Sequence, residues 1–401
     1  MFNWGGSKCA KDPCKILLLF EDHVVTCFHP LHAFKMFNRR TPSGKSVIVF
    51  SENKIRGKAW EEIKLKCGQC IGCRVDSSKA WAIRCVHEAQ CWPHSEYVTL
   101  TLNPEYLEGR RTLVKSEFQK FMKRLRKANH GIKSIKDDNG NWHKPIRYFV
   151  CGEYGELCLN CGFHKEKHHE VGCRIWSPTL GRPHFHACIF NYEFTDKYYW
   201  CTRHGNKLYR SESLERLWSI RLEKGKNYGF QKRDRFTKDG IEYAKIGFIT
   251  IGECNFRSAG YIARYVTKKV NGSRAASHYR VVNTATGEIE TAMPEYVAMS
   301  NRPGIGAFWY KRYGYGDCWR SDRLTVGGRT YGVPAYYFKL LERTDPKLAR
   351  EIKRKRVLTA KANAHNMTPE RLRAAKLRFI NRVAEAMERR YENGTNDVCG
   401  L

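Results

Sequence analysis

The sequence predicts an α+β protein, a central antiparallel β-sheet with helices packed on one face. Three observations carry that expectation. Four β-rich runs, EYVTLTLNPEY, PIRYFVCGEYGE, RPHFHACIF and KIGFITIGE, lie between residues 96 and 253. Two helical patterns accompany them. Their chain order is strand, helix, strand, strand, strand, helix.

Each element has its own signal. Residues 1–60 read as irregular, with Cys9, Cys14 and Cys27 among short apolar pieces. Asp76, Ser77 or Ser78 is placed to cap a helix running to about Cys91. The strand at 96–106 ends at an Asn-Pro breaker. In KSEFQKFMKRLRKANHG, residues 115–131, apolar side chains at Phe118, Phe121, Met122 and Leu125 have amphipathic-helix spacing, and Gly131 is placed to close it. PIRYFVCGEYGE follows as a strand. Residues 157–181 form a Cys- and His-dense inserted loop, and RPHFHACIF is the next strand. Residues 192–245 are polar and aromatic, with SESLERLWSI as a short helix. KIGFITIGE reads as one strand, followed by a helix at about 258–270. Residues 295–335 are loop-rich, and from Asp345 to about Tyr391 the pattern is helical and basic. No internal repeat is visible.

At 401 residues the chain can bury a full core. Its 72 Lys+Arg against 40 Asp+Glu leave a formal charge of +32, which points to a polyanionic partner, nucleic acid first. No stretch approaches the ~20 apolar residues of a membrane span, and KILLLF is too short for a signal-peptide core. The expected setting is therefore intracellular and reducing, where 17 cysteines suggest metal ligation over disulfides. Aromatics interleaved with cations, as in YKRYGYGDCWR at 310–320, suit stacking on unpaired bases. A surface loop carrying core aromatics would look the same. No P-loop pattern is present, so unwinding would fall to another protein.

The chemistry centres on RPHFHACIF. On a strand His184 and His186 share one face, and Phe185, Ala187 and Ile189 the other. Two adjacent imidazoles make half of a divalent-metal site that a carboxylate should complete. GEYGE offers Glu153, with Glu156 as runner-up. In SAGYIARYVTKKV, Tyr261 and Tyr265 fall four apart on one helix face. A phenol has a free pKa of ~10 and needs help to attack. Arg264, Lys268 and Lys269 supply charge, and Lys268 lies one turn beyond Tyr265. In CGQCIGC, Cys67, Cys70 and Cys73 are spaced to share one ion, with Cys27 as a candidate fourth thiolate. A second zinc candidate is CLNCGFHKEKHHEVGC, with Cys158, Cys161, Cys173 and His164, or His168 or His169 in its place.

Together these motifs resemble the HUH-type rolling-circle replication initiators, specifically those of the gokushovirus branch of the Microviridae. The residues that carry the resemblance are CGQCIGCR with WAIRCVHE, YVTLTLNPE, FQKFMKRLRK, YFVCGEYGE, RPHFHACIF, SAGYIARYVTKK and MSNRPGIG. The resemblance implies an HUH endonuclease fold, with His184, His186 and Glu153 holding Mg²⁺ or Mn²⁺. It implies Tyr261 and Tyr265 as the nucleophile pair and Lys268 as the lysine that follows them. Arg264 stands where many relatives carry Lys, so no role is carried over to it. Thr99 and Thr101 lie on a strand that is structural in relatives, and no catalytic role is given to them. Cys27, in TCFHP, matches a Cys-x-x-Pro element and would complete a structural Zn²⁺ site.

The implied reaction nicks one strand of the phage origin, leaves a 5′-phosphotyrosine and a 3′-OH primer, and later rejoins the strand to release circular genomes. Host helicase and polymerase are the expected partners, and the bacterial cytoplasm the expected compartment. The expected organisation is a Cys-rich region at 1–92 and a nicking domain at 93–275, with insertions at about 157–181 and 192–245. A loop-rich region at 276–344 and a basic helical region at 345–401 complete it. Rival readings are a relaxase, transposase or plasmid replication protein of the same chemistry, or a zinc-stabilised nucleic-acid-binding protein without catalysis.

Overall fold

The computed structural model describes residues 27–42, 44–107, 110–136, 140, 142–155, 181–203, 205–224, 229–265, 275–283 and 286–392. In chain order the principal elements are β1 (Leu31–Arg40), β2 (Ser46–Val49), β3 (Trp60–Leu65), α1 (Ile71–Ala89), β4 (Ser95–Thr101), α2 (Lys115–Ala128), β5 (Arg147–Tyr154) and β6 (Pro183–Phe190). They continue with β7 (Tyr198–Arg203), β8 (Asn206–Arg210), β9 (Ile249–Glu253), α3 (Phe256–Tyr265), β10 (Tyr296–Met299), α4 (Ala335–Thr344), α5 (Pro346–Ala362) and α6 (Pro369–Glu392).

The chain divides into two compact units. One comprises the described parts of Lys15–Lys79 and Trp319–Thr395, the other the described part of Ala80–Cys318.

The larger unit is built on a seven-stranded sheet, ordered β10-β5-β6-β4-β9-β8-β7, in which every neighbouring pair is antiparallel. Strand β6 is central because both its faces are apolar. Phe185, Ala187 and Ile189 join Val98, Leu100 and α2 residues Phe118, Phe121, Met122 and Leu125 in one core. Cys188 and Phe190 join Phe149, Cys151, Ala82 and Cys85 in another, with Ala259, Ile262 and Ala263 of α3. Burying each large aliphatic or aromatic side chain contributes roughly 1.5–3 kcal/mol. Helices therefore cover both faces of the sheet, not one. The alternate apolar residues of β5 and β6 require the second layer.

A buried ion pair fastens the far end of β5. Arg147 Nε donates to Glu88 Oε1 at 2.5 Å, and Arg147 Nη2 to the Pro303 carbonyl at 2.8 Å. Glu88 also accepts from the Gly306 N–H at 2.6 Å and from Trp92 Nε1 at 3.1 Å. The PGIG turn at 303–306 is thus a clasp tying α1 to the sheet.

Several elements differ from the expectation, each for a local reason. Helix α1 begins at Ile71, not near Asp76, because the cysteine loop winds directly into it and the Cys70 carbonyl accepts from the Arg74 N–H. Helix α2 ends at Ala128, where Asn129 Nδ2 caps the Leu125 carbonyl, before Gly131 is reached. KIGFITIGE is not one strand. Ile241–Lys245 pairs elsewhere and β9 starts at Ile249. Between them Gly247 crosses so near the Thr101 backbone that a Cβ would lie 1.9 Å from its carbonyl oxygen. The stretch 192–245 holds β7, β8 and a three-stranded sheet. The loop-rich stretch carries two small strand pairs and helical turns from Ala307 to Trp319.

In the smaller unit, residues expected to be irregular form the sheet β2-β1-β3. Strand β1 buries only Ala33 and Met36, so it lacks the alternation that betrays a strand. Part of the basic C-terminal segment is neutralised within this unit. Lys361 pairs with Glu61 at 3.0 Å, and Arg356 pairs with Asp322 and lies over Phe338. Among the described residues no helix is long and apolar enough to cross a membrane.

Candidate metal centre and nucleophile

Sheet register builds the site. In β5·β6, Glu153 is paired with His184; in β4·β6, Thr101 is paired with His184 and Thr99 with His186. Directly paired residues project to the same face, so the carboxylate and both imidazoles gather above the sheet. Gly152 makes room beside them, since a Cβ there would lie 2.7 Å from the Tyr296 ring.

His184 Nε2 lies 2.6 Å and His186 Nε2 3.0 Å from the same oxygen, Glu153 Oε1. His184 Nδ1 donates to the Arg182 carbonyl at 3.0 Å, which directs its Nε2 to the centre. His186 Nδ1 is held by the Tyr97 and Thr99 hydroxyls, each at 2.9 Å. Two ring nitrogens meeting one carboxylate oxygen require positive charge at the centre, as ring protons or a metal ion. Burial alone would raise the Glu153 pKa, but the facing His184 and His186 hold it well below the usual carboxylate range. Two imidazoles and one carboxylate, with ligand atoms all within 4.8 Å of one another, fit a divalent ion.

Tyr261 comes from α3, which crosses β5, β6 and β10 on this face. Its hydroxyl is 3.5 Å from Glu153 Oε1, and its ring meets His186 edge-on with centroids 4.9 Å apart. The helix starts tightly: Asn255 Oδ1 accepts from the N–H groups of Arg257 and Ser258. Tyr265 ends α3. Its side chain, Lys268, Lys269 and Glu156 lie outside the described residues, as do Cys158, Cys161, His164, His168, His169 and Cys173.

In the smaller unit Cys27, Cys67, Cys70 and Cys73 form a second cluster, their sulfurs all within 4.8 Å of one another. Cys67 and Cys73 Sγ are 4.0 Å apart, Cys27 and Cys70 Sγ 3.9 Å. Backbone N–H groups point at the sulfurs: Phe28 to Cys70, Cys67 to Cys27, and Cys70 to Cys67. Burial pushes the Cys27 and Cys73 thiols up. At Cys67 burial acts the same way, but N–H groups of Cys70 and Gln69 and neighbouring thiols bring it down to about 7.

The structure thus brings together His184, His186, Glu153 and Tyr261, and separately the four cysteines. Tyr97 and Arg182 were not singled out from the sequence. Tyr97 shares the face of Thr99 and Thr101 by simple alternation, which was the available signal. The basic aromatic tract divides: Tyr310 and Trp319 are buried, Tyr313 and Tyr315 exposed.

An antiparallel sheet carrying an imidazole pair, a carboxylate and a helix-borne phenol defines the class of site. Residues 95–270, which hold all of these, match the family model of Replication-associated protein ORF2. The chain is similar to Replication-associated protein VP4 of Bdellovibrio phage phiMH2K, 27% identical over 352 residues, 87% of each chain. It is similar to Replication-associated protein ORF2 of Spiroplasma virus 4, 27% identical over 287 residues, 69% of this chain and 67% of that one. Replication-associated protein ORF4 of Chlamydia phage 1 is 22% identical over 285 residues, 70% of this chain and 54% of that one. These matches bear out the resemblance read from the motifs. No solved structure matches.

Proposed function

We propose that the chain initiates replication of a small DNA phage as an HUH-type nickase, cutting one strand through Tyr261 and later rejoining it. The relatives' replication-associated names support the initiator role. One observation carries the chemistry: the Tyr261 hydroxyl lies 3.5 Å from the carboxylate oxygen on which both imidazoles converge.

In the proposed step Tyr261 Oη, losing its proton, attacks the scissile phosphorus in line. The new P–O bond joins the phosphate to Tyr261, and the P–O3′ bond breaks. The departing oxygen takes up a proton and becomes the 3′-OH primer. Rejoining is the reverse, with a 3′-OH displacing Tyr261. Mg²⁺ or Mn²⁺ held by His184, His186 and Glu153 would supply positive charge to a non-bridging phosphate oxygen. His184 is oriented by Arg182, and His186 by Tyr97 and Thr99. Tyr265 is the proposed second nucleophile and Lys268 a cation near the reacting phosphate.

The four-cysteine cluster is the proposed structural Zn²⁺ site. A Zn–S distance of ~2.3 Å in a tetrahedron sets sulfurs ~3.8 Å apart, close to the 3.9 and 4.0 Å found. A second Zn²⁺ at Cys158, Cys161, His164 and Cys173 is proposed from sequence alone. Origin DNA, host helicase and host polymerase are the proposed partners inside the bacterial cell.

The test incubates the chain and Mn²⁺ with single-stranded fragments tiling the genome that encodes it. A covalent protein–DNA adduct surviving denaturation, with phosphate mapped by peptide mass to Tyr261 or Tyr265, is the expected result. DNA binding without an adduct on any fragment would instead favour a zinc-stabilised binding protein.

A further inference from the structure

The sheet face that carries the metal ligands continues beyond them. Helix α3 crosses β5, β6 and β10, while β4, β9, β8 and β7 extend to the far edge. The register draws one row across that half. His186 pairs with Thr99 and Thr99 with Thr250. Tyr209 pairs with Ile251, which sets Arg210 in the row of Thr250, and Arg210 pairs with Tyr198. All these side chains share the histidine face, because the intervening Val98, Leu100, Ile249 and Ile251 turn into the opposite core. Phe248 follows the same face beside Thr101, to which its backbone is hydrogen-bonded in both directions. Four strand spacings of ~4.8 Å make the row about 19 Å long.

Its outer part is aromatic and cationic. Phe248 is 57% exposed, Tyr198 54% and Trp200 36%. The Arg210 and Arg203 guanidinium groups lie 4.4 and 5.2 Å from the Trp200 ring centre. Arg210 Nε is buried without a hydrogen-bond acceptor, and among the described residues no carboxylate pairs with this side chain. A hydrophobic protein partner would leave that cation unsatisfied. A duplex would hide its base faces from the rings. Unpaired bases on the rings with phosphates at the guanidinium groups satisfy both.

We infer that Phe248, Tyr198, Trp200 and Arg210 form a stacking platform for single-stranded DNA, extending the cleavage face to the β7–β8 edge. The inference deepens the proposed nickase reading and rests on DNA being the partner.

The experiment measures anisotropy of a labelled oligothymidylate of about 20 nucleotides and of a blunt duplex, with the full chain. Tyr198→Ala with Trp200→Ala should weaken oligothymidylate binding at least about tenfold and leave duplex binding unchanged. Tyr198→Phe with Trp200→Phe should bind as the unaltered chain does, which excludes a folding defect. Arg210→Gln should weaken binding and flatten its salt dependence. Unchanged affinity in the double-alanine chain, or equal weakening on duplex, overturns the platform. Tyr261→Phe separates the two readings, since it should abolish the adduct and keep oligothymidylate binding. A chain that never forms an adduct yet binds through these aromatics refutes the nickase and keeps the platform.

Discussion

The Tyr261 hydroxyl and Glu153 Oε1 are 3.5 Å apart, although 108 residues separate them in sequence. Both imidazole Nε2 atoms meet that same oxygen, so the phenol stands at the edge of the group that would hold a divalent ion. Glu153→Gln keeps the side-chain shape and removes the charge. Mn²⁺ binding by calorimetry should weaken by more than about 100-fold. Unaltered binding would move the ligand role away from Glu153.

The hydroxyls behind His186 orient a ring they do not replace. Tyr97→Phe with Thr99→Val removes both partners of His186 Nδ1 while preserving shape. Mn²⁺ affinity should fall about 10–100-fold, with thermal stability changed much less. The same titration checks it.

For the cysteine cluster, Cys70→Ser should lower bound zinc by about one equivalent per chain, read by elemental analysis. It should also lower the melting temperature, because such metal binding is coupled to folding. Cys91, which donates to the His87 carbonyl outside the cluster, is the control: Cys91→Ser should retain full zinc.

Arg147 and Glu88 are buried together. Arg147→Met leaves the Glu88 carboxylate without its cation and should cost about 3–5 kcal/mol of stability in denaturant melts. A loss below about 1 kcal/mol would mean that water reaches Glu88.

His87 is buried and stacked on Trp309, with ring centres 3.5 Å apart. Burial pushes its pKa down from 6.5 to about 3. The unfolded chain therefore binds the extra proton between those values, and stability contributed by the neutral ring is full above pH 6.5 and declines as pH falls toward 3. At pH 5 the loss should be about 2 kcal/mol. His87→Phe should flatten that part of the stability–pH curve.

Much of the site was legible because strand alternation and helix spacing are local rules. His184 and His186 on one face, a carboxylate from the GEYGE strand, and Tyr261 on a helix all follow from residues near one another in sequence. The clustering of Cys67, Cys70 and Cys73 is equally local. Elements whose burial breaks the simple periods were less legible. Strand β1 is too exposed to alternate, and β7 and β8 sit at a sheet edge with aromatic side chains turned outward.

The sequence by itself determined the ligand types, their spacing and the basic, phosphate-seeking character of the chain, since those reside in side-chain chemistry. Only the tertiary structure decided that Glu153, His184, His186 and Tyr261 meet at one oxygen and that helices cover both sheet faces. It also decided that Tyr97 braces His186 and that Cys27 joins the other three cysteines. Each of these depends on cross-strand register or on close packing between distant segments, and register is a property of paired strands that no single segment carries.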